Sequence, residues 1–581
     1  MESFEPVEVS GKDALKYDES AREKEKKFGV NYKWIVLSNT TLGSLMASID
    51  SSIVLISLPA IFTGLGVNPL IPSNIGLLLW ILLGYIIMSA VLIVSIGRFA
   101  DTYGRVKLYN FGFMIFALTS TLIYASSYLI HGTNGALAII ILRLLQAFGG
   151  SFLIANSAAM LTDAFPHNER GMALGINGVA FAGGSAIGLL VGGVLAAIDW
   201  HLIFLISVPI GIVGAIWSYL ALHEIATIKK GRKLDIPGNI TFALALAFIL
   251  ISITYSLIPY GTSQTGWSNP FVLGGLITGI ILFFAFIAIE LRVEDPMFNL
   301  KLFKHKAFSL AMSSNFLAGV ARWGLEFMII IWLQGIWLPL HGVSFERTPF
   351  VAALYLLPLT IAFLIFGPIS GKLSDKYGPT LLATGGMLIN VVAFLWLSTL
   401  PTNFNIFYFI PITLLMGIGQ GMFLSPNAAS IMNSLPPEQR GAGSGMARTF
   451  GYMSMMFSII IFFTLLVTGL TATMSTSIYN GLVGQGVNSA RALAASKIPP
   501  TSALFAAFLG YNPLKTLLPQ SLLSNLTAKQ AATITGTTFF PMLISQSFTQ
   551  GIKIVLYFAA ALSLLGAIAS ALRGKTDIYG K

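Results

Sequence analysis

Apolar stretches of about 20 residues recur along most of this chain of 581 residues. Each is long enough to cross the hydrocarbon core of a bilayer, roughly 30 Å thick, as an α-helix. Only 10% of the residues are charged and 55% are hydrophobic, which leaves too little polar surface for a soluble protein. The sequence therefore predicts an all-α polytopic membrane protein. The predicted spans, about fourteen in number, are residues 34–62, 76–97, 108–130, 136–162, 173–197, 202–223, 236–258, 271–291, 307–338, 350–370, 380–400, 406–432, 444–470 and 551–572.

Basic residues in the connecting loops predict the orientation of the helices. With the N-terminus in the cytoplasm, the inner loops hold many Lys and Arg residues, including Lys229 and Lys230, whereas the short outer loops hold only Arg347. By the positive-inside rule we expect a multi-pass protein of the cell membrane with both termini in the cytoplasm. This topology accounts for much of the net charge of +11, so no nucleic-acid partner is needed to explain it.

The sequence lacks the residues on which several kinds of chemistry depend. It contains no cysteine, its six histidines are not clustered at metal-ligand spacing, and it has no glycine-rich phosphate loop ending in GK[ST]. We expect no metal, no cofactor, no ATP-driven transport and no enzymatic activity. An ion gradient is the expected source of energy.

A short charged hairpin occurs twice between apolar stretches. GRFADTYGR at 97–105 returns as GKLSDKYGP at 371–379, and the two aspartates are 274 residues apart. The repeat indicates two duplicated halves, and its glycines favour a sharp turn between helices at a membrane face. Asp163, at the end of the fourth span, is predicted to form an ion cluster with Asp101 and Arg105 that stabilises one conformation. The motif residues of the two copies are Gly97, Asp101, Gly104, Gly371, Asp375 and Gly378.

Two pairs of charged residues lie within predicted spans, where each charge costs about 3 kcal/mol to insert and so requires a partner or a function. Asp50 and Arg143 lie at levels that differ by about one helical turn, so we expect them to interact. Proton binding at Asp50, controlled by movement of Arg143, is the expected mechanism of coupling. The alternative is that Asp50 accepts hydrogen bonds from neighbouring serines and fixes a helix contact. Arg322 and Glu326 are four residues apart and can neutralise each other, so they form either a structural pair or a second site for protons or substrate.

The chain resembles the major facilitator superfamily, and specifically the fourteen-span drug:proton antiporters, over about residues 34–470 and the last span. GRFADTYGR matches the loop motif between spans two and three, and LRLLQAFGGS resembles the span-four motif with Arg143 and Gln146. SIDSSIVLISLP resembles the span-one motif whose acid, Asp50, is linked to proton coupling. The resemblance implies two six-helix bundles around a midplane cavity, two extra helices, and transport by alternating access.

The fifth span departs from the antiporter pattern. GSAIGLLVGG keeps small residues that allow two helices to approach closely, as a hinge or seal between the halves requires. Leu189 stands where the resemblance implies a proline, so the expected kink is lost and antiport and symport both stay open. The small residues are Gly184, Gly188, Gly192 and Gly193.

The spans and the resemblance together divide the chain. We expect a cytoplasmic tail at 1–33, an N-terminal bundle at 34–223, two additional helices at 236–291, a cytoplasmic linker at 292–306, a C-terminal bundle at 307–470 and 551–572, and a second tail at 573–581. Residues 471–550 are predicted to form an extracellular loop or re-entrant hairpin, because their apolar runs around 501–510 and 537–545 are too short to span.

The resemblance implies proton-coupled secondary transport, with efflux of drugs or other amphipathic compounds as the leading hypothesis. A symporter or facilitator for one metabolite is the alternative, and a non-transporting sensor is a further one. The expected partners are a small-molecule substrate, protons and membrane lipids, and the expected state is a monomer. Candidate cavity residues, chosen as polar or aromatic groups within spans, are Trp80, Tyr85, Gln146, Asn156, Gln334, Gln420 and Asn427.

Overall fold

The computed structural model describes residues 31–68, 71–166, 169–224, 235–261, 263, 265–293, 296, 298–435, 440–519 and 526–574. Within these ranges the regular structure is helical, and fourteen helices are long and apolar enough to cross a membrane. The predicted all-α membrane class is confirmed. The predicted tails at 1–33 and 573–581 lie almost entirely outside the described residues.

We number only the membrane helices, α1 to α14, in chain order. They are α1 Tyr32–Leu65, α2 Pro72–Tyr103, α3 Arg105–Leu129, α4 Gly132–Ala164, α5 Arg170–Ile198, α6 Leu202–Ala221, α7 Ile236–Tyr255, α8 Pro270–Glu290, α9 Lys306–Trp332, α10 Thr348–Tyr377, α11 Pro379–Ser398, α12 Ile406–Asn433, α13 Arg440–Thr471 and α14 Phe539–Leu572.

The helices pack as two bundles with a pair of helices at the side. In the first bundle α1 packs on α5, and α4 packs on α2 and α3; in the second, α9 packs on α13, and α12 packs on α10 and α11. Helices α7 and α8 pack on each other, and α7 also contacts α2. Across the interface between the bundles α5 meets α10 and α2 meets α13, so motion of one bundle against the other must change these two contacts.

Both copies of the charged hairpin form the predicted sharp turn. Gly104 has φ +101° and separates α2 from α3, while Gly378 has φ +83° and separates α10 from α11. This left-handed backbone favours glycine, which explains why both copies keep a glycine at the turn. The side chains of Asp101 and Asp375 lie outside the described set.

The last membrane helix begins earlier than the sequence predicted. It starts at Phe539, not near residue 551, and runs unbroken to Leu572. In the sequence the apolar run around 537–545 is too short to span, but a helix continues through polar residues such as Gln546 and Gln550 when its other face is buried. The run at 537–545 is therefore mostly the first part of α14 and not a separate re-entrant helix.

The segment between α13 and α14 is folded against the second bundle. Its helices include Pro500–Phe508, in which all nine residues are buried. This helix packs against the wide π-helical turn Leu333–Trp337, where Gly335 lies so close to Phe508 that a methyl group on Gly335 would come within 2.9 Å of the Phe508 backbone. Residues 500–508 thus form a buried helix within the segment for which the sequence predicts an extracellular loop or re-entrant hairpin. The other short helices of this segment are Met474–Gly484, Ser489–Ala495, Leu514–Leu517 and Ala528–Thr535.

Candidate functional site

Asp50 and Arg143 meet in the interior of the first bundle. The Asp50 carboxylate lies 3.4 Å from an Arg143 guanidinium nitrogen and accepts a second hydrogen bond, of 3.0 Å, from the Gln146 amide. Gln146 also donates to the Ser120 hydroxyl at 2.8 Å, which ties α4 to α3. The Asp50 and Arg143 side chains are 0% and 1% exposed, so this ion pair between α1 and α4 is dry.

The dry pair is not fully satisfied by hydrogen bonds. The Arg143 Nε, the Gln146 Oε1 and the Tyr85 hydroxyl are buried without a partner in the part of the chain that the structure describes. The Arg143 guanidinium lies 5.2 Å from the centre of the Tyr85 ring. Buried polar groups usually have partners, so these atoms mark the pair as an unusual site in the interior of the bundle.

A related cluster lies in the second bundle. Arg322 donates to Glu326 at 2.9 Å within α9, and the Gln420 amide of α12 donates to the same Glu326 oxygen at 3.2 Å. The Arg322 guanidinium also lies over the Trp323 ring, 4.3 Å from its centre. These side chains are more exposed than the first pair, at 15% for Arg322 and 8% for Glu326.

The two clusters follow the internal repeat. Gln146 and Gln420 are 274 residues apart, the same offset as Asp101 and Asp375, and they lie on the fourth helix of each half. Asp50 and Glu326 are 276 residues apart on the first helix of each half. The arginine does not follow, because it stands on α4 in one half and on α9 in the other. The offset of the two loop aspartates, which is visible in the sequence, therefore extends to residues inside the helices.

A cavity of about 210 Å³ lies between the two bundles. Its wall includes Leu174 and Arg448, which stand four and eight residues after the first residues of α5 and α13, or about 6 and 12 Å along the helices. Arg322, 16 residues into α9, lies about 24 Å along. The cavity therefore extends from near the predicted cytoplasmic helix ends toward the middle of the membrane.

Arg448 is a cavity residue that the sequence analysis missed. It donates to the Asn177 side chain at 2.7 Å, and the Asn177 amide donates in turn to Ser44 and Ser157 at 3.1 and 3.0 Å. This chain of hydrogen bonds joins α13 of the second bundle to α5, α1 and α4 of the first. The signal that could have found it was a charge within the predicted span 444–470.

Among the seven predicted cavity residues only Gln420 lines this cavity. Trp80 points to α7, where its indole nitrogen donates to Tyr255 at 3.4 Å. Asn156 donates to a backbone carbonyl of its own helix, and Gln334 donates at 3.1 Å to the Ile56 carbonyl across the bundle interface. These residues were selected for polarity and not for the helix face on which they lie. The cavity wall therefore does not include six of them, which corrects the prediction: Trp80, Tyr85, Gln146, Asn156, Gln334 and Asn427.

The glycines of α5 make two different close contacts. Methyl groups on Gly184, Gly188 and Gly192 would come within 2.9, 2.6 and 2.9 Å of carbonyl oxygens of α1, so these glycines let the two helices of one bundle touch. A methyl group on Gly193 would come within 2.6 Å of the Pro349 carbonyl oxygen in α10 of the other bundle. Three glycines thus pack within a half, and one packs between the halves.

The first hairpin is held by an ion pair and by a helix cap. Arg105 lies 2.5 Å from Asp163, as predicted, and also donates to the Ala159 carbonyl. Glu224, which the sequence analysis did not single out, accepts hydrogen bonds from the Arg105 and Val106 amides at 3.1 and 3.0 Å and so caps the start of α3. Burial raises the pKa of Glu224, against the lowering effect of these two amides.

Comparison with known proteins gives the family of this fold. A family profile described as the Major Facilitator Superfamily matches residues 40–237 and 235–459. The chain belongs to the major facilitator superfamily. Members of this superfamily are transporters, so the protein is a multi-pass membrane transporter.

Relatives and solved structures agree with this assignment. The riboflavin transporter RibZ of Clostridioides difficile is 27% identical over 440 residues, 76% of this chain and 89% of the relative. The multidrug resistance protein 3 of Bacillus subtilis is 26% identical over 508 residues, 87% and 91% of the two chains. The proton:xylose symporter XylE aligns with a TM-score of 0.52 and 14% identity over 87% of this chain and 99% of its own, which shows a shared fold.

Proposed function

We propose that this protein is a proton-coupled secondary transporter that exports amphipathic compounds across the cell membrane by alternating access. The proposal takes both termini to be cytoplasmic and the working unit to be a monomer. Relatives named for multidrug resistance and for resistance to and export of tetracenomycin C support the export of such compounds. The motifs of the fourteen-span drug:proton antiporters support antiport with protons.

The dry Asp50–Arg143 pair is the observation that carries the proposal. A proton on Asp50 would remove the carboxylate charge that holds Arg143, and Arg143 would then turn to another partner within the interior. Because Asp50 and Arg143 stand on different helices, this change alters how α1 and α4 pack. Proton binding and substrate binding then favour different conformations, which is what coupling requires.

The contacts between the bundles support alternating access. Near the predicted outer ends of the helices, Gly193 packs on Pro349 and Gln334 donates to the Ile56 carbonyl. Nearer the predicted inner ends, the bundles are separated by the cavity and joined through Arg448 and Asn177. In this interpretation the conformation is closed outside, and opening it outside requires the Gly193 contact to part.

The test is proton flux in proteoliposomes that contain the purified protein under a pH gradient. We expect an amphipathic compound to trigger proton movement in wild-type vesicles, and Asp50→Asn to abolish it. Glu326→Gln serves as the matched variant, because it neutralises the acid of the second bundle. Compound-driven proton flux that persists in Asp50→Asn would assign coupling to another group and overturn the role of Asp50.

Transport of one metabolite, by symport or facilitation, is the second candidate. The relative named as a riboflavin transporter supports it, and so does Leu189, which lacks the proline of the antiporter motif. Leu189 lines a small cavity of about 20 Å³ together with Glu326 and Ser51, so the change in the motif faces the second acid. The direction of transport decides between the two, since an inward proton gradient depletes the vesicle or cell of an exported compound and accumulates a symported one.

A further inference from the structure

Arg448 differs from the other arginines within the membrane helices. Among the arginine side chains that the structure describes, Arg143 is paired with Asp50 and Arg322 with Glu326. Arg448 has one hydrogen bond, to the neutral Asn177, and no carboxylate within ion-pair distance in the described part of the chain. Arg448 is half-buried and lines the cavity, so its charge is available to a partner that enters the cavity.

Among the described residues around Arg448, none carries a negative charge that would balance it. The Phe181 ring lies 5.1 Å from the guanidinium, which stabilises the cation without neutralising it. Arg322, the other charged residue of the cavity wall, already shares its charge with Glu326. The described wall of the cavity therefore carries a net positive charge.

Tyr452 provides a second polar group on the same wall. It stands four residues after Arg448 on α13, so both side chains lie on one face of the helix. Its side chain is 5% exposed and lines the cavity, and its hydroxyl has no hydrogen-bond partner among the described residues. An unused donor on a side chain that lines the cavity is a candidate partner for a ligand.

We propose that the cavity binds a small organic anion with a flat aromatic body, and that Arg448 and the Tyr452 hydroxyl hold its acidic group. The proposal rests on the proposed transport function and names the substrate class. A guanidinium group and a hydroxyl group both donate hydrogen bonds to a carboxylate or a sulfonate, and such charged bonds are shorter and stronger than neutral ones. Asn177 would lose its hydrogen bond from Arg448 when the anion binds.

The rest of the cavity fits the aromatic part of such a ligand. Phe181, Trp323 and Phe394 line it, and flat rings pack on these side chains by stacking or edge contacts. The volume, about 210 Å³, is below the roughly 300 Å³ at which pockets for drug-sized ligands begin. One or two fused rings are therefore the expected size. A lipophilic cation of the same shape would face Arg448 and be disfavoured by like-charge repulsion.

The experiment is calorimetric titration of the purified full-length protein at pH 7.5 with three probes of one shape: 2-naphthoate, its methyl ester, and the 2-naphthylmethylammonium cation. We expect wild type to bind the carboxylate about tenfold or more tightly than the ester, and the cation least. Arg448→Gln should weaken carboxylate binding about tenfold or more and leave ester binding unchanged. Tyr452→Phe should weaken it by a smaller factor, and Arg491→Gln, at an exposed residue of the short helix Ser489–Ala495, should have no effect.

The result that overturns the proposal is equal binding of cation and carboxylate by wild type, or carboxylate preference that survives in a folded Arg448→Gln protein. If Arg448→Gln cannot be purified folded, the wild-type preference and the Tyr452→Phe titration decide. Carboxylate binding that is weaker than ester binding also overturns it. Because no gradient is present, the outcome is separate from coupling: anion binding without proton flux leaves this site standing, and proton flux driven by cations alone removes it.

Discussion

The two halves of the molecule each hold an acid and a glutamine at related positions, but the ion pair of each acid differs in burial and in the helices that it joins. Asp50 and Arg143 join two helices in an interior that excludes water, with side chains 0% and 1% exposed. Glu326 and Arg322 share one helix beside the cavity, with side chains 8% and 15% exposed. The repeat has kept the acid and the glutamine while the arginine stands on a different helix in each half.

This difference separates two tasks that a coupled transporter must perform. A pair that links two helices in a dry interior changes helix packing when it breaks, so it suits the coupling ion. A pair within one helix can break without moving a neighbour, and one that borders a cavity can exchange partners with a ligand. We therefore expect coupling to depend on the first bundle and substrate contact on the second.

The largest expected effect is that of Arg143→Gln on stability. It leaves the Asp50 carboxylate buried without a countercharge, which typically costs 3–5 kcal/mol, so we expect a large fall in the Tm of the purified protein. The double variant Asp50→Asn with Arg143→Gln should recover most of that loss, because it removes both charges. A Tm for Arg143→Gln close to wild type would show that the pair is not dry.

Arg322→Gln should cost less than Arg143→Gln in the same measurement. Glu326 keeps its hydrogen bond from Gln420, and it borders small cavities in which a water molecule could replace the guanidinium. We expect a loss of about 1–3 kcal/mol, the cost of an unsatisfied charged group that solvent partly relieves. Equal losses for the two arginine variants would remove the distinction between the halves.

Gly188→Ala tests whether α5 fixes the position of α1 and with it Asp50. A methyl group there would come within 2.6 Å of the Ile49 carbonyl oxygen, next to Asp50 in the chain, so α1 must shift at a cost of about 1–3 kcal/mol. Gly274→Ala in α8 is the matched control, because nothing lies within 4 Å of its added methyl group. The Tm should fall for Gly188→Ala only. In the same variant, the pH at which proton-driven transport is half-maximal should shift.

Glu224 gives the smallest effect, which depends on pH. Its pKa in the folded protein lies above its ordinary value of 4.5, so the folded state binds a proton more readily than the unfolded state. The stabilisation by Glu224 is therefore fully present at pH values below its ordinary pKa of 4.5, and it is lost as the pH rises through the raised pKa. We expect the Tm of wild type, relative to Glu224→Gln, to fall as the pH rises from 4.5 and then to stay constant. A relative Tm that rises with pH would contradict the shift.

Much of this architecture could be predicted because hydropathy and duplication are local signals. The helix number, the glycine turns at Gly104 and Gly378, and the meeting of Asp50 with Arg143 followed from span lengths, φ preferences and depth along a helix. Helix ends were less accurate, as at Phe539, because a helix buried on one side does not need an unbroken apolar run.

The cavity wall could not be predicted in the same way. Which side of a helix faces the interface depends on the packing of all the helices, so Trp80 and Asn156 were selected for polarity and lie elsewhere. Arg448 was overlooked because it stands near a predicted span boundary, and Glu224 because it acts from a loop. Both positions are defined by contacts far apart in sequence.

The most direct test of the division between the halves compares two assays on the same Asp50→Asn proteoliposomes. One is transport driven by a pH gradient, and the other is counterflow, the exchange of labelled for unlabelled substrate without a gradient. We predict that Asp50→Asn loses gradient-driven transport and keeps counterflow, since substrate still binds and the bundles still move. Loss of counterflow together with gradient-driven transport, in a protein whose Tm matches wild type, would contradict the assignment of coupling to the first bundle and substrate binding to the second.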